Sequence, residues 1–466
     1  MTMAGDSTIV MKFGGTSMKD AETIERSAGI ARDSAPGKGV VCVVSAMDQV
    51  TELLLELGDA AATDNRAAVH SLMSRIRTKH ETAAKGIGGG APEQIRAMLD
   101  RLEHLADGIS AVGELTTRSK DAMVAFGEKL STVMMAAALG CRGFTGQDAG
   151  IVTNDEFGKA APLMDLSLYQ LKANLRPILD RGERVVVSGF IAATQHGVTT
   201  TLGRGGSDYT ACIIGAALGA EEVWIWSDVD GLMTTDPRIV PGARLLASVT
   251  FAEAIEMGQF GAKSMHPLAL EPAAEHRIPV RFRNTFNLAS PGTILVPESP
   301  TAQSGGRGHE REPVKCVLLH RNAALITVSG AAMIGRPGTA AQVFRALADA
   351  SVNIMMISQS VSEAGISLVV AKDHGERAKA VLERALMRGG VARGVALIDR
   401  VAVVAVVGSG MHGAPGIAAR VFNTAAAKRI NVVAIAQGSS ELSISFVTGS
   451  EDGPEAVRAL HAEFIG

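Results

Sequence analysis

"TIVMKFGGTSM", residues 8–18, sets a short apolar run against a lysine, two glycines and two hydroxyl residues. Thr8-Ile9-Val10 opens a strand, and Lys12 enters on its end. Glycines at a strand end let the backbone turn tightly and bring successive N–H groups toward an anion. Thr16 and Ser17 are placed to cap the next helix, whose N-terminus favours negative charge. The spacing is not the GxxxxGK[ST] of a P-loop. A plain strand–turn–helix corner and a phosphate cradle fit this stretch about equally.

Working outward, strand-like and helix-like stretches alternate over the first 300 residues. "DAETIERSAGIARDS" has helical period, and "GVVCVVSAM", residues 39–47, is a continuous apolar run suited to a strand buried on both faces. "RVVVSGFIA" and "EVWIWSDV" repeat that character, with the alanine-rich helices "STVMMAAALG" and "YTACIIGAALGA" between them. Such alternation implies an α/β fold with a largely parallel sheet sandwiched by helices. Residues 55–125 are charged and helical, interrupted by "GIGGGAPEQ", and read as a helical excursion forming a lid or contact surface. The polar stretch 298–315, "ESPTAQSGGRGHEREPVK", reads as a linker.

After it the chain repeats itself. The segment beginning "MIGRPGTAAQVF" at Met333 returns without a gap as "MHGAPGIAARVF" at Met411, so that Pro337 matches Pro415, Gln359 matches Gln437 and Glu363 matches Glu441. Each copy reads as strand, loop, helix, strand, turn, strand, giving two βαββ-type modules that pack as a pair. The domains expected are therefore 1–297, then 316–398 and 399–466 beyond the linker.

The 466 residues are 47% hydrophobic and 20% charged, with a net charge of −3. No polybasic surface argues for nucleic acid or membrane. The N-terminus has no signal-peptide pattern, and no run of about 20 uninterrupted apolar residues suggests a transmembrane helix. Cys42, Cys141, Cys212 and Cys316 are widely spaced in apolar contexts, which suits free thiols in a reducing cytoplasm.

Three further stretches carry chemistry. "TTLGRGGSDYTA", residues 200–211, places Arg204, two glycines, Ser207 and Asp208 at the start of a helix, where a guanidinium suits a carboxylate or phosphate. "SDVDGLMTTDPR", residues 227–238, follows a strand at the end where α/β sheets bind ligands, and its aspartates do not match an EF-hand. "FGAKSMHP", residues 260–267, adds Lys263. Two lysines, two glycine-lined turns and a polar strand end suit phosphoryl transfer, which relies on positioning and charge neutralisation.

Taken in order, "KFGGTS", "VVSAM", "FGEKLST", "GRGGSDYTA", "DVDGLMTTDPR" and "FGAKSMHP" resemble the aspartate kinases, and the tandem repeat resembles their paired ACT domains. The resemblance covers essentially the whole chain. It implies an amino-acid kinase fold followed by two ACT domains, and a monofunctional enzyme, since the chain stops after the second module with no room for a fused homoserine dehydrogenase. The implied reaction is ATP-dependent phosphorylation of L-aspartate to 4-phospho-L-aspartate, the first step toward lysine, threonine and methionine. By that resemblance, Lys12 bridges ATP phosphates beside Gly14, Gly15 and Thr16, and Asp208 orients Lys12. Ser45, Thr51 and Ser207 line the aspartate pocket, Phe190 forms its wall, Glu128 receives the α-ammonium group and Arg204 holds a carboxylate. Ser227, Asp228, Met233, Arg238 and Lys263 surround the nucleotide. Mg²⁺ is carried by ATP, with no side-chain metal ligand. An amino-acid effector, lysine, threonine or both, is placed at Gly335, Arg336, Gly338, Thr339, Ala340 and Gln359 of the first module and at Asn431 and Val432 of the second. The module pair also implies a homodimer.

The chemistry agrees with the residues. A side-chain carboxylate with a pKa of about 4 is already an anionic nucleophile at pH 7, so no general base is required. The chain departs from the family at Met233, where tyrosine is frequent, at Asp48, where glycine or alanine is usual, and at Ser264, where the family has an aliphatic residue. Two other readings are a catalytically silent amino-acid sensor and a sister kinase acting on another carboxylate. Residue chemistry alone does not separate aspartate from glutamate. The Ala364-Gly365 and Leu442-Ser443 difference between the copies suggests that they do not bind identically.

Overall fold

The computed structural model describes residues 7–89, 91–260, 266–297, 313–387 and 390–466. Lys263, Ser264 and most of the linker at 298–315 lie outside the described residues. The chain divides into two compact units. One holds the chain up to Leu232 with two later segments, Ala247–Phe251 and the stretch running to the end of the last strand of its sheet. The other holds Met233–Leu246, the helix from Ala252 and the C-terminal part. The segment 233–246 and that helix are thus built into the C-terminal unit, although both precede the linker.

The elements of the first part are β1 (Thr8–Phe13), α1 (Ala21–Asp33), β2 (Gly39–Val44), α2 (Val50–Ala62), α3 (Arg66–Gly86), α4 (Pro92–Val112), α5 (Thr117–Leu139) and β3 (Arg142–Phe144). There follow α6 (Gly146–Ala149), β4 (Val152–Thr153), α7 (Met164–Leu179), β5 (Val185–Ser188), β6 (Ile191–Thr194), β7 (Thr199–Thr201), α8 (Gly206–Leu218) and β8 (Glu222–Ser227). β9 (Ser248–Thr250), α9 (Phe251–Gln259), α10 (Glu271–Glu275), β10 (Val280–Asn284) and β11 (Thr293–Val296) complete it. Eight strands form one sheet in the order β3-β5-β2-β1-β8-β10-β11-β9, parallel except where β10 meets β11. β2 and β5 are buried at every residue, as continuous apolar strands covered by helices on both faces must be. The registers Phe13↔Val44, Val44↔Ser188 and Phe13↔Trp226 bring the carboxyl ends of β1, β2, β5 and β8 to one edge. Every stretch singled out for chemistry up to Asp228 leaves the sheet along that edge or begins α8 beside it, which is where open α/β sheets bind ligands.

The helices of 55–125 are a packed layer of the core. Leu57 of α2, Leu72 and Ile76 of α3, and Leu99 and Leu102 of α4 share one apolar cluster with Met11 and Phe13 of β1. α5 is long and apolar enough to cross a membrane by length and composition, but about two-thirds of its apolar stretch is buried inside the protein, and it carries Asp121 and Glu128. It is a core helix.

The C-terminal unit contains β12 (Cys316–Ser329), α11 (Thr339–Asp349), β13 (Ile354–Gln359), β14 (Gly365–Ala371) and α12 (Gly375–Leu382), then β15 (Gly394–Val407), α13 (Ile417–Ala427), β16 (Ala434–Gln437), β17 (Ser443–Gly449) and α14 (Gly453–Phe464). Each repeat is βαββα. The long strands β12 and β15 pair antiparallel at the centre and join both copies into one six-stranded sheet, β13-β14-β12-β15-β17-β16. The copies share backbone detail. Gly338 and Gly416 start their helices in the left-handed region, at φ 86° and 88°, which glycine adopts without strain. Gly335 donates its N–H to the Glu363 carboxylate at 2.9 Å, and Gly413 does the same to Glu441 at 2.6 Å. The loop frame is therefore common to both copies despite the sequence difference after each glutamate.

This unit also takes in the second half of "SDVDGLMTTDPR". The Thr234 carbonyl accepts from the Val317 N–H at 2.9 Å, and the Thr234 hydroxyl pairs with His461 Nε2 of α14 at 2.9 Å. Glu253 of α9, fully buried, meets Lys315 Nζ at 2.9 Å and accepts the Ser409 N–H at 2.7 Å.

Candidate active site

A cavity of about 360 Å³ opens at the carboxyl edge of the parallel sheet. It is lined by Lys12 and Gly15 after β1, Ser45 after β2, Thr51 of α2, Glu128 of α5, Phe190 after β5, and Arg204, Ser207 and Asp208 around the start of α8. Nine residues separated by up to 196 positions in the chain thus meet in one place, because three strand ends and three helices converge there.

Lys12 Nζ lies 2.6 Å from Asp208 Oδ1, with the two side chains only 12% and 11% exposed. The pair draws the first glycine-rich turn onto the second. Gly14 donates its N–H to the Trp226 carbonyl at 3.1 Å, which closes the turn over the neighbouring strand. Residues Gly15–Met18 form a short 3-10 turn. α1 is capped one turn later, by Asp20, whose carboxylate accepts the Thr23 N–H at 3.0 Å while Thr23 Oγ1 accepts the Asp20 N–H. Thr16 and Ser17 therefore do not cap it. Ser17 instead bonds Thr285 at 2.7 Å, and Thr16 is half-buried in the turn.

The other wall depends on close backbone approach. A Cβ at Gly189 would lie 2.6 Å from Ser207 Cβ and 2.8 Å from Ser207 Cα, and one at Gly206 would lie 2.8 Å from the Phe190 ring. Phe190 sits at φ 63°, a strained region for an aromatic residue, and its N–H donates to Thr210 Oγ1 at 3.1 Å. Helix α8 thus begins directly against the β5–β6 turn. Gly189→Ala is expected to push Ser207 and Asp208 away from Lys12. It should lower kcat/KM at least tenfold and stability by about 1–3 kcal/mol, read by steady-state kinetics and thermal melts.

Glu128 is 4% exposed. Its Oε1 accepts the Ala46 N–H at 3.1 Å, and its Oε2 has no hydrogen-bond partner. Burial pushes its pKa up to about 8, against the lowering effects of the hydrogen bonds and of Lys12. The ligand-free carboxyl therefore holds a proton at pH 7, and one lone oxygen faces a cavity that can bring it a cation. Arg204 is exposed between Gly203 and Gly205, both left-handed at φ 71° and 75°.

Ser227 and Asp228 lie at the end of β8, the strand beside β1, and do not line the cavity. Met233 and Arg238 fall in the C-terminal unit, where Arg238 is exposed and pairs with Asp236 at 2.7 Å. Gly335, Arg336, Gly338, Thr339 and Ala340 form the loop and first turn before and within α11, with Thr339 Oγ1 donating to the Arg336 carbonyl at 3.0 Å. Gln359 ends β13, and Asn431 and Val432 precede β16.

Three lining residues were not singled out from the sequence: Met47, Gln49 and Glu52. Gln49 is left-handed at φ 64° and starts α2. Asp48, the unusual residue of its motif, lines the cavity, and its carbonyl accepts from Lys79 Nζ at 2.7 Å. Asp121 does not touch the cavity but holds part of its wall. It is 2% exposed and accepts the Gly158 N–H at 2.9 Å, the Thr201 N–H at 3.1 Å and the Thr201 hydroxyl at 2.8 Å. A larger cavity, about 900 Å³, lies beside α4, α5 and β3, lined by Arg101, Lys129 and Arg142 among others, and holds none of the residues expected at the site.

Comparison with known proteins places this geometry. Residues 7–284 match the amino acid kinase family, and 326–386 and 404–464 match the ACT domain. Aspartokinase 2, chloroplastic, of Arabidopsis thaliana is 33% identical over 473 residues, covering 98% of this chain and 84% of that protein. The chain belongs to the aspartokinases. It also matches the bifunctional aspartokinase/homoserine dehydrogenase 1 of Zea mays at 34% identity, spanning 99% of this chain but about half, 51%, of that protein. The structure of E. coli aspartokinase III with aspartate and ADP superposes with a TM-score of 0.82 at 29% identity, covering 99% of this chain and all of that one. The same E. coli protein with lysine and aspartate gives a TM-score of 0.81. Both expected layers of this aspartokinase, the kinase sheet and the module pair, are present in its fold.

Proposed function

We propose that this aspartokinase transfers the γ-phosphoryl group of ATP to the side-chain carboxylate of L-aspartate in the 360 Å³ cavity. The observation that carries the reading is the convergence of Glu128, Arg204 and the Lys12–Asp208 pair on that cavity. An amino-acid substrate has one cation and two anions to place. The unpartnered Glu128 oxygen suits the ammonium group, and Arg204 suits one carboxylate. The second carboxylate is then left toward Lys12, where an ammonium can neutralise the charge brought together by two anions.

The nucleotide phosphates fit the turn Gly14–Gly15–Thr16 beside Lys12. Gly14 leaves room there, since a Cβ would come within 3.6 Å of Lys12 Nζ. Asp208 holds Lys12 in place, so the cation is positioned before the nucleotide arrives. Mg²⁺ enters with ATP. Phosphate oxygens with water suit this hard cation. Ser227 and Asp228, at the end of β8 beside β1, are assigned to the rest of the nucleotide.

The module pair is read as the regulatory and dimerising part. β13 and β16 end the six-stranded sheet and expose Ile357 and Ile435, surfaces suited to a second copy of the chain. The loop 335–340 with Gln359 is assigned to an amino-acid effector, and the E. coli relative solved with lysine makes L-lysine the first effector to test, ahead of L-threonine. Because the Glu363 carboxylate orders that loop through the Gly335 N–H, Glu363→Ala is expected to weaken inhibition about fivefold with kcat unchanged, measured as half-inhibitory concentration. Free thiols at Cys42, Cys212 and Cys316, all buried, suit a reducing compartment such as the cytoplasm.

The test is ATP turnover by purified protein with L-aspartate, the acyl phosphate trapped as hydroxamate, with L-glutamate in parallel and lysine or threonine added. Hydroxamate from aspartate well above that from glutamate, lowered by an effector, is the expected result. Folded protein that forms none from aspartate would overturn the reading in favour of a silent sensor.

A further inference from the structure

Helix α5 carries two buried carboxyl groups, Asp121 and Glu128, seven residues apart and so on one face two turns from each other. Glu128 reaches the cavity. Asp121 reaches a different part of the fold, and its three hydrogen bonds all go to segments that build the opposite wall. Thr201 ends β7 three residues before Arg204, and Leu202 and Gly203 connect them. Gly158 lies in the loop beside that connection, where a Cβ at Gly203 would lie 3.6 Å from the Gly158 carbonyl. The Ala160 N–H also donates to the Thr201 carbonyl at 2.9 Å. One carboxylate therefore ties the Arg204 loop and its neighbour to the helix that carries Glu128.

We infer that Asp121 is a positioning residue that sets the span between Glu128 and Arg204, and through it the length of amino acid that the cavity accepts. The inference rests on the proposed roles of Glu128 and Arg204 at the two ends of the substrate. The Leu202 N–H to the Phe190 carbonyl at 2.9 Å and the Gly206 N–H to the Gly203 carbonyl at 3.1 Å hold the glycine-flanked loop to β5 and α8, but neither ties it to α5, and Arg204 itself is exposed. With the tie, the loop is fixed by buried charge-assisted hydrogen bonds to a rigid helix, which are the strong and short-range kind. Aspartate and glutamate differ by one methylene. A pocket discriminates such a pair by about 10–200-fold when its walls are rigid. A wall free to move by the length of one C–C bond forfeits that difference.

The test compares Asp121→Asn, Thr201→Val and Thr201→Ser in the full chain. The readouts are the ratio of kcat/KM for aspartate to that for glutamate, KM for each substrate, and the melting temperature. Asp121→Asn keeps the shape but removes the charge: its amide oxygen can still accept the Gly158 and Thr201 N–H groups while its NH₂ faces Thr201 Oγ1, so all three hydrogen bonds fall to the weaker neutral kind. Asp121→Asn and Thr201→Val are expected to raise KM for aspartate about tenfold, to leave KM for ATP within twofold and to narrow the aspartate-to-glutamate ratio at least tenfold. Thr201→Ser, which keeps the hydroxyl, should behave as the wild type. An unchanged ratio in both variants, with only the melting temperature lowered, overturns the inference and leaves Asp121 a structural residue. Wild-type protein that does not phosphorylate aspartate at all overturns the underlying reading instead, so the two failures are distinct.

Discussion

Glu128→Gln is expected to abolish useful aspartate turnover while making the folded protein more tolerant of alkaline pH. The two effects have one cause. Glu128 is buried with one oxygen unpartnered, and burial holds its pKa near 8. In the unfolded chain the same group titrates near the ordinary value of 4.5. Between those values the folded protein keeps a proton that the unfolded chain has released, so this group's stabilising contribution is complete below about pH 4.5 and is lost as pH rises through about 8. Glutamine stays neutral at every pH. The variant should therefore match the wild type near pH 5 and exceed its stability at pH 9 by something of the order of a few kcal/mol, read from denaturant melts at both pH values. Its kcat/KM for aspartate should fall about 10²–10³-fold, because a neutral amide supplies no charge to offset a buried ammonium. In the wild type, aspartate affinity should weaken about tenfold per pH unit below 8, as the ionised fraction of Glu128 falls. A variant that lost both activity and alkaline stability would mean that Glu128 is ionised in the resting protein.

Lys12→Met should lower kcat by about 10³-fold, as expected when a preorganised cation is removed from a site where charge is concentrated. It should also destabilise the protein by about 3 kcal/mol, since it leaves Asp208, 11% exposed, without its partner 2.6 Å away. The double variant Lys12→Met/Asp208→Asn separates the two roles. Removing both charges should restore most of the lost stability, because a neutral pair needs no compensation, and should restore none of the activity. Kinetics and chemical denaturation on the two single variants and the double variant form the thermodynamic cycle. Equal stability of Lys12→Met and wild type would mean that the ion pair is not the arrangement that holds the two glycine-rich turns together.

How far the sequence carried each part follows from the range of the interactions involved. β2 and β5 were legible because strands buried on both faces are continuous apolar runs, a signal contained in six residues or fewer. The paired modules were legible because the repeat states its own period. Glu128 was identifiable through family resemblance alone, since nothing in the local pattern of α5 distinguishes a carboxyl group aimed into a cavity from one aimed at solvent. The cap of α1 went to Asp20 because a 3-10 turn occupies the position where Thr16 and Ser17 would have stood. Asp121 could not be found at all from local pattern. Its partners lie 37 and 80 residues away, and its role exists only once β7 has folded onto α5. The placement of Met233 and Arg238 in the C-terminal unit has the same origin: the Thr234 hydroxyl pairs with His461, 227 residues further on.

The most direct test of the account is isothermal titration of L-aspartate into the full chain at pH 7 in two buffers of different ionisation enthalpy. If the substrate's ammonium group meets Glu128, binding must ionise a carboxyl group whose pKa is about 8. The buffers should then report release of about 0.9 proton per site, and Glu128→Gln should release none. Binding of aspartate with no net proton exchange, or with the same exchange in the variant, would contradict the assignment of Glu128 as the ammonium's partner and with it the orientation of the substrate toward Lys12.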